Sequence, residues 1–284
     1  MNYTTVLSTD ILEMHLNDAN WLIIDCRFDL SHPGWGSEEY LKAHIPGAVF
    51  ADLDHDLASP ITPSSGRHPL PEPDEWRKTV SNWGIEPDSQ VVAYDSTGGS
   101  LAAVRVWWLL RAYGHEQVAL LDGGLPKWLS ENRPITAAVS HPRRPSVFNG
   151  SNNSRFMVSS DELVHLHRDS RYRLVDARAA ERYRGEIEPI DPVAGHIPGA
   201  KNRPVALNLN SDQTFKSAEQ LRKEFAELLG DIQPEKVIAY CGSGVTGAHN
   251  LLAMEIAGLS GGILFPGSWS EWIRDPNRPI ETGG

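Results

Sequence analysis

Four short stretches of this 284-residue chain occur twice, in the same order and roughly 150 residues apart. Ile24-Asp25-Cys26-Arg27 returns as Val175-Asp176-Ala177-Arg178, and His44-Ile45-Pro46-Gly47-Ala48 returns as His196-Ile197-Pro198-Gly199-Ala200. Val91-Val92-Ala93-Tyr94-Asp95 matches Val237-Ile238-Ala239-Tyr240-Cys241, and the segment ending in Trp128 matches the one ending in Trp272. A period this long means two copies of one domain, not a solenoid, and the chain is long enough for each copy to bury its own core. The expected division is a first domain over 1–135, a linker over 136–155 rich in Pro, Ser, Asn and Arg, and a second domain over 156–284.

Within a copy, the pattern alternates between strands and helices. Ser8-Thr9-Asp10 precedes ILEMHL, and the capping-box pattern Ser159-x-x-Glu162 precedes LVHLH, so each copy begins with a helix. A strand follows (Trp21 to Cys26; Arg173 to Ala177), then a loop with the His-Ile-Pro-Gly turn, a further strand and an amphipathic helix. The central strand, a helix (LAAVRVWWLLRAYG; GAHNLLAMEIAG) and a short strand leading to a Trp-bearing segment close the copy. Such alternation predicts an α/β fold, a mainly parallel sheet with helices on both faces. Ligands of these sheets sit outside the carboxyl ends of the strands.

Cys241 stands at such an end. Val237 to Tyr240 form a short buried strand, Gly242 and Gly244 allow a tight loop, and a helix begins near Thr246 and closes at Gly258. Free backbone N–H groups in the loop and the positive end of the helix dipole favour a thiolate there, and the same groups suit an anionic ligand. The first copy has Asp95-Ser96-Thr97-Gly98-Gly99-Ser100 in this place. An aspartate cannot act as a thiolate nucleophile, so the first domain is expected to be catalytically silent. Cys26 aligns with Ala177 and reads as core filler.

The loop Cys241-Gly242-Ser243-Gly244-Val245-Thr246 resembles the active-site loop of the rhodanese and 3-mercaptopyruvate sulfurtransferase family, as do LVDAR (174–178), ERYRG (181–185), GHIPGA (195–200) and PGSWSEW (266–272). The resemblance implies two tandem rhodanese-like domains and sulfur transfer by double displacement. Cys241 takes a sulfur from a small anionic donor, 3-mercaptopyruvate or thiosulfate, and passes it from a persulfide to cyanide, a small thiol or thioredoxin. It implies no metal or organic cofactor. Gly-Ser-Gly-Val-Thr after the cysteine is the form that accompanies 3-mercaptopyruvate. By the same resemblance Arg182 meets the donor carboxylate, Arg178 is a second candidate there that more often buttresses its loop, and Ser243, His68 and Asp54 form a proton relay. Ser243 also reads as a cap for the following helix, and Arg67 adds positive charge beside His68. One departure stands out: a second arginine is expected some nine residues after Arg182, but Ile190 and Asp191 stand there, with Arg184 as a substitute. Trp35, Trp269 and Trp272 read as packing at the rim.

The net charge of −11 argues against nucleic acid and anionic membranes as partners. The start, MNYTTVLSTD, lacks a basic and then apolar leader, and two isolated cysteines fit a reducing compartment, so a cytoplasmic location is expected. Zinc is not expected, since there is no CxxC and the eleven histidines are scattered. A phosphatase of the C-x5-R type would need Arg where Gly247 stands. A persulfide carrier or a binding module remains the alternative to an enzyme.

Overall fold

A computed structural model describes residues 2–139 and 144–284. Residues 140–143 of the expected linker lie outside the described residues. Two units emerge: Met1–Ser59, Leu70–Asn153 and Ser211–Phe215 form the first, and Pro60–Pro69, Ser154–Asn210 and Lys216–Gly284 form the second.

The first unit runs β1 (Val6–Leu7), α1 (Thr9–Met14), β2 (Trp21–Asp25), α2 (Trp35–Lys42), β3 (Val49–Phe50), α3 (Pro73–Asn82), β4 (Gln90–Tyr94), α4 (Ala102–Ala112), β5 (Val118–Leu121) and α5 (Gly124–Ser130). Its sheet has the order β1-β5-β4-β2-β3 with every pairing parallel. The second unit runs α6 (Ser160–Leu166), β6 (Arg173–Asp176), α7 (Ala180–Tyr183), β7 (Lys201–Asn202), α8 (Ala218–Leu229), β8 (Val237–Tyr240), α9 (Gly247–Ile256), β9 (Ile263–Leu264) and α10 (Ser268–Trp272). Its sheet has the order β7-β6-β8-β9, again wholly parallel. All of β2, β4, β5 and β8 is buried, which is why these strands read as unbroken apolar runs and not as alternating ones.

The caps behave as the sequence predicts. Ser8 Oγ accepts from Ile11 N, and the Ser159/Glu162 capping box is closed in both directions. Three elements were not expected. α2 and α7 precede the His-Ile-Pro-Gly turns, have no side-chain cap, and carry too few apolar positions to show a helical period. β1 is only two residues long, and its place in the second unit is taken by a single parallel bridge, Met157 to Leu264.

The repeat is also a repeat of bonds. Asp25 holds Arg27 through Nε and Nη2, and Asp176 holds Arg178 in the same way. The Tyr94 hydroxyl accepts from Ile45 N at 3.2 Å, and the Tyr240 hydroxyl from Ile197 N at 3.2 Å. The indole N–H of Trp128 reaches Pro134 O, and that of Trp272 reaches Pro279 O. Trp269 and Trp272 are fully buried in the core of the second unit with Ile238, Tyr240 and Phe265, so they are core residues and not rim residues. Cys26 is fully buried and burial pushes its thiol up, with Asp25 and Asp95 adding to the rise, as befits an inert core side chain.

Candidate active site

Cys241 is the first residue after β8. Its amide donates to Ser268 Oγ at 3.0 Å, its carbonyl accepts from Trp269 N at 3.0 Å, and the Gly242 carbonyl accepts from Ser270 N at 2.9 Å. The loop is thereby fixed to the start of α10, and Cys241 through Val245 are all buried. Gly244 has φ +78°, and a Cβ there would lie 1.9 Å from Pro266 O, so no other residue fits. The N–H groups of Ser243, Val245 and Thr246 meet no acceptor among the described residues. Val245 and Thr246 turn their carbonyls into α9, accepting from Ala248 N and His249 N. These are the conditions under which a loop binds an anion with its backbone.

The first copy shows such a loop already filled. Asp95 is fully buried, and its Oδ1 accepts from Thr97 N at 2.8 Å and Gly99 N at 2.9 Å while Oδ2 accepts from Leu101 N at 3.1 Å. Burial pushes its carboxyl up, and the three amide bonds work against that rise. Ser243 and Val245 stand at the offsets from Cys241 that Thr97 and Gly99 have from Asp95. Asp95→Asn should destabilise the protein by about 1–3 kcal/mol, because the amide must turn its NH2 toward at least one of these donors. A urea midpoint equal to that of the parent would show that the loop does not need an anion.

The segment Pro60–Pro69 comes from the first repeat in sequence but belongs to the second unit in space. Gly66 lies against Gly267, where an added Cβ would stand 2.6 Å from the Gly267 carbonyl oxygen. Arg67 N donates to Ser270 Oγ, and Arg274 Nε donates to Ser65 O. This arm brings His68 Nδ1 to within 2.8 Å of Ser243 Oγ, with both residues buried. Of the two readings of Ser243, its hydroxyl therefore contacts the histidine, and α9 has no side-chain cap. Asp54 lies in the first unit, exposed, with its amide on the Asp52 carboxylate; burial and then Asp52 raise its own carboxyl.

Arg182, on α7, donates from Nη2 to Glu188 at 2.7 Å and to Asp191 at 3.2 Å. Arg67 Nη1 pairs with the other oxygen of Asp191. The Cβ position of Gly242, the residue after the cysteine, is 2.8 Å from Arg67 Nη2 and 3.7 Å from both Arg182 Nη atoms. Two guanidiniums thus lie against the cysteine loop. Burial works against ionisation of Glu188, but bonds from Arg182 and from the Asp191 and Ile190 amides outweigh it and hold this carboxyl below its ordinary value. Asp191 goes the other way: burial raises it, and attraction to Arg67 offsets only part of the rise.

Arg178 needs correction as a donor-binding residue. Its guanidinium, 2 % exposed, is committed to Asp176, to Gly195 O at 2.7 Å and to Glu188, and it lies over the Trp269 ring. Arg27 makes the matching carboxylate pair in a copy that has Asp95 where Cys241 stands in the other, so the pair maintains the fold. Arg184 does not take the place of the expected second arginine either, since it is half-buried and its guanidinium is paired with Glu186. The contribution of Arg67 was the weakest signal in the sequence. The pointer to it was a basic pair, Arg67-His68, in a Gly- and Pro-bearing stretch with no counterpart in the second copy.

The model of the Rhodanese-like domain matches residues 8–131 and 159–275. The chain is 45 % identical over 285 residues to a probable 3-mercaptopyruvate sulfurtransferase of Pseudomonas aeruginosa, covering 100 % of both chains. It is 39 % identical over 270 residues to a putative thiosulfate sulfurtransferase, SseB, of Mycobacterium tuberculosis, covering 92 % of this chain and 90 % of that one. Among solved structures it resembles the 3-mercaptopyruvate sulfurtransferase SseA of Escherichia coli, with TM-score 0.79, 31 % identity, and coverage of 95 % of this chain and 100 % of that one.

Proposed function

We propose, for a chain that belongs to the rhodanese-like family in both of its halves, that the second unit moves sulfur from 3-mercaptopyruvate through a Cys241 persulfide to a thiol or cyanide. The chain is a sulfurtransferase. The observation that carries the donor and the persulfide is the setting of Cys241: the end of a central strand, the amides of Ser243, Val245 and Thr246 without acceptors among the described residues, and two guanidiniums against the next residue.

In the first step the Cys241 thiolate attacks the donor's sulfur. A sulfur–sulfur bond forms, the carbon–sulfur bond of 3-mercaptopyruvate breaks, and its electron pair leaves as the pyruvate enolate. The enolate carbon takes a proton along the Ser243–His68 hydrogen bond, a buried proton path beside the loop. The outer sulfur of the persulfide is two bonds from Cβ, as is each Oδ of an aspartate. The amides of Ser243 and Val245 are therefore placed to hold it much as Thr97 and Gly99 hold Asp95. In the second step an acceptor thiolate, of a small thiol or of thioredoxin, attacks that outer sulfur. The sulfur–sulfur bond to Cys241 breaks and the thiolate returns. The sulfur travels on the cysteine itself, so the reaction calls for no metal or organic cofactor.

Arg182 is the residue for the donor carboxylate, because a planar guanidinium offers two parallel N–H groups. Arg182→Ala should raise KM for 3-mercaptopyruvate by roughly 10- to 100-fold, the loss expected for a charged hydrogen bond, and Arg182→Lys should not restore it. A lysine variant with parental KM would remove the bidentate role.

Thiosulfate is the second reading, favoured by the name of the mycobacterial relative and by Asp191 standing where a second arginine is expected. Pyruvate and sulfite release under multiple turnover decide between them, read as the ratio of kcat/KM. A ratio below one gives the donor role to thiosulfate, and stoichiometric loading without turnover would make the protein a carrier. Two cysteines that are both free fit a reducing compartment, which supports the cytoplasm as the place of action. Among the described residues no helix is long and apolar enough to cross a membrane.

A further inference from the structure

We propose that Arg67 is the second guanidinium of the donor site and that Asp191 is a latch across Arg67 and Arg182, which the donor's own carboxylate must displace. The inference rests on the reading of Cys241 as the sulfur-carrying residue, and it identifies what sets donor affinity there.

Three observations carry it. First, one carboxylate spans both cations: Asp191 Oδ1 meets Arg67 Nη1, and Oδ2 lies 3.2 Å from Arg182 Nη2. The pair is thus already shaped to a carboxylate, and the protein supplies one of its own. Second, both guanidiniums border Gly242, at 2.8 Å and 3.7 Å from its Cβ position, so an anion held by them lies beside the nucleophile. Third, Arg67 has capacity left. Its Nε is buried with no acceptor among the described residues, which is costly unless a ligand supplies one. Arg182 is different, because Glu188 binds it through Nε and Nη2 and keeps it in place whatever happens to Asp191.

Asp191 is also the less firmly held of the two acids. The Glu188 carboxylate accepts the amides of Ile190 and Asp191 as well as Arg182, and it anchors the turn. The Asp191 carboxylate is held by the two arginines. Burial disfavours its charge, and Glu188 adds to that. A donor carboxylate arriving between the arginines removes the reason for that charge to stay. The latch then costs affinity in proportion to how far the closed state dominates.

The test uses the full chain and reads site occupancy without turnover. Iodoacetamide is neutral and alkylates Cys241, and pyruvate is the probe that protects it. For Asp191→Asn the half-protecting pyruvate concentration should fall about tenfold, the value for a latch closed roughly ten to one. For Arg67→Gln it should rise by a similar factor, and for Arg67→Lys it should stay well above the parental value because the fork is lost. KM for 3-mercaptopyruvate should move in the same directions. If protection weakens in Asp191→Asn, Asp191 positions the arginines and is not a latch, and unchanged protection in Arg67→Gln removes Arg67 from the site. Parental protein that pyruvate protects but that releases no pyruvate from 3-mercaptopyruvate would overturn the donor assignment and leave the latch standing.

Discussion

Replacing Cys241 by serine ends turnover, with a fall in kcat of at least about a thousandfold, on the scale seen when an enzyme's nucleophile is removed. The change is nearly isosteric at a residue 3 % exposed, so the far-ultraviolet spectrum and the urea midpoint should stay close to those of the parent. The argument for so large a loss is chemical. Serine cannot form a persulfide, and a hydroxyl attacking the donor's sulfur would make no stable carrier. The loop amides and the two arginines remain, so donor binding should survive. Pyruvate release at more than a few per cent of the parental rate would mean that the sulfur is carried elsewhere, and Cys26, buried with its thiol pushed up, is a poor second candidate.

Arg178→Ala should have the largest effect on stability, about 3–5 kcal/mol, because it leaves the fully buried Asp176 carboxylate without its partner. The same argument applies to Arg27 and Asp25 in the first unit, with side chains 5 % and 0 % exposed. The pair keeps β6 joined to the chain that follows: Asp176 also accepts from Arg178 N, and Arg178 reaches across to Gly195 O. The measurement is urea unfolding followed by the tryptophans, with Arg182→Ala as the control. The two arginines should part company, one changing stability and the other KM. A variant of Arg178 with a shift under about 1 kcal/mol but a raised KM would restore it to the donor site.

What could be read along the chain was local. The strand ending at Tyr240, position 244 where only glycine fits, the capping box at Ser159 and the paired IDCR and VDAR motifs are patterns within a few residues, and the structure has each where the pattern puts it. For Arg178 the sequence left two readings, a buttress of its loop and a second donor contact, and comparing its bonds with those of Arg27 favours the buttress. α7, one turn without a cap, gave no periodic signal although it carries Arg182. The arm was hidden for a different reason. Arg67 and Asp191 are 124 positions apart, and His68 and Ser243 are 175 apart. Nothing in composition or periodicity links such residues; only the path of the backbone does.

The first half of the sequence therefore supplies more than its own fold. Ten residues of it, Pro60–Pro69, are structurally part of the other half, and they bring the imidazole that meets Ser243 and the guanidinium that meets Asp191. A chain trimmed to the copy that carries Cys241 would keep that thiol with neither neighbour. The two copies are therefore not separable at the linker: a cut there takes Pro60–Pro69 away from the unit that it belongs to.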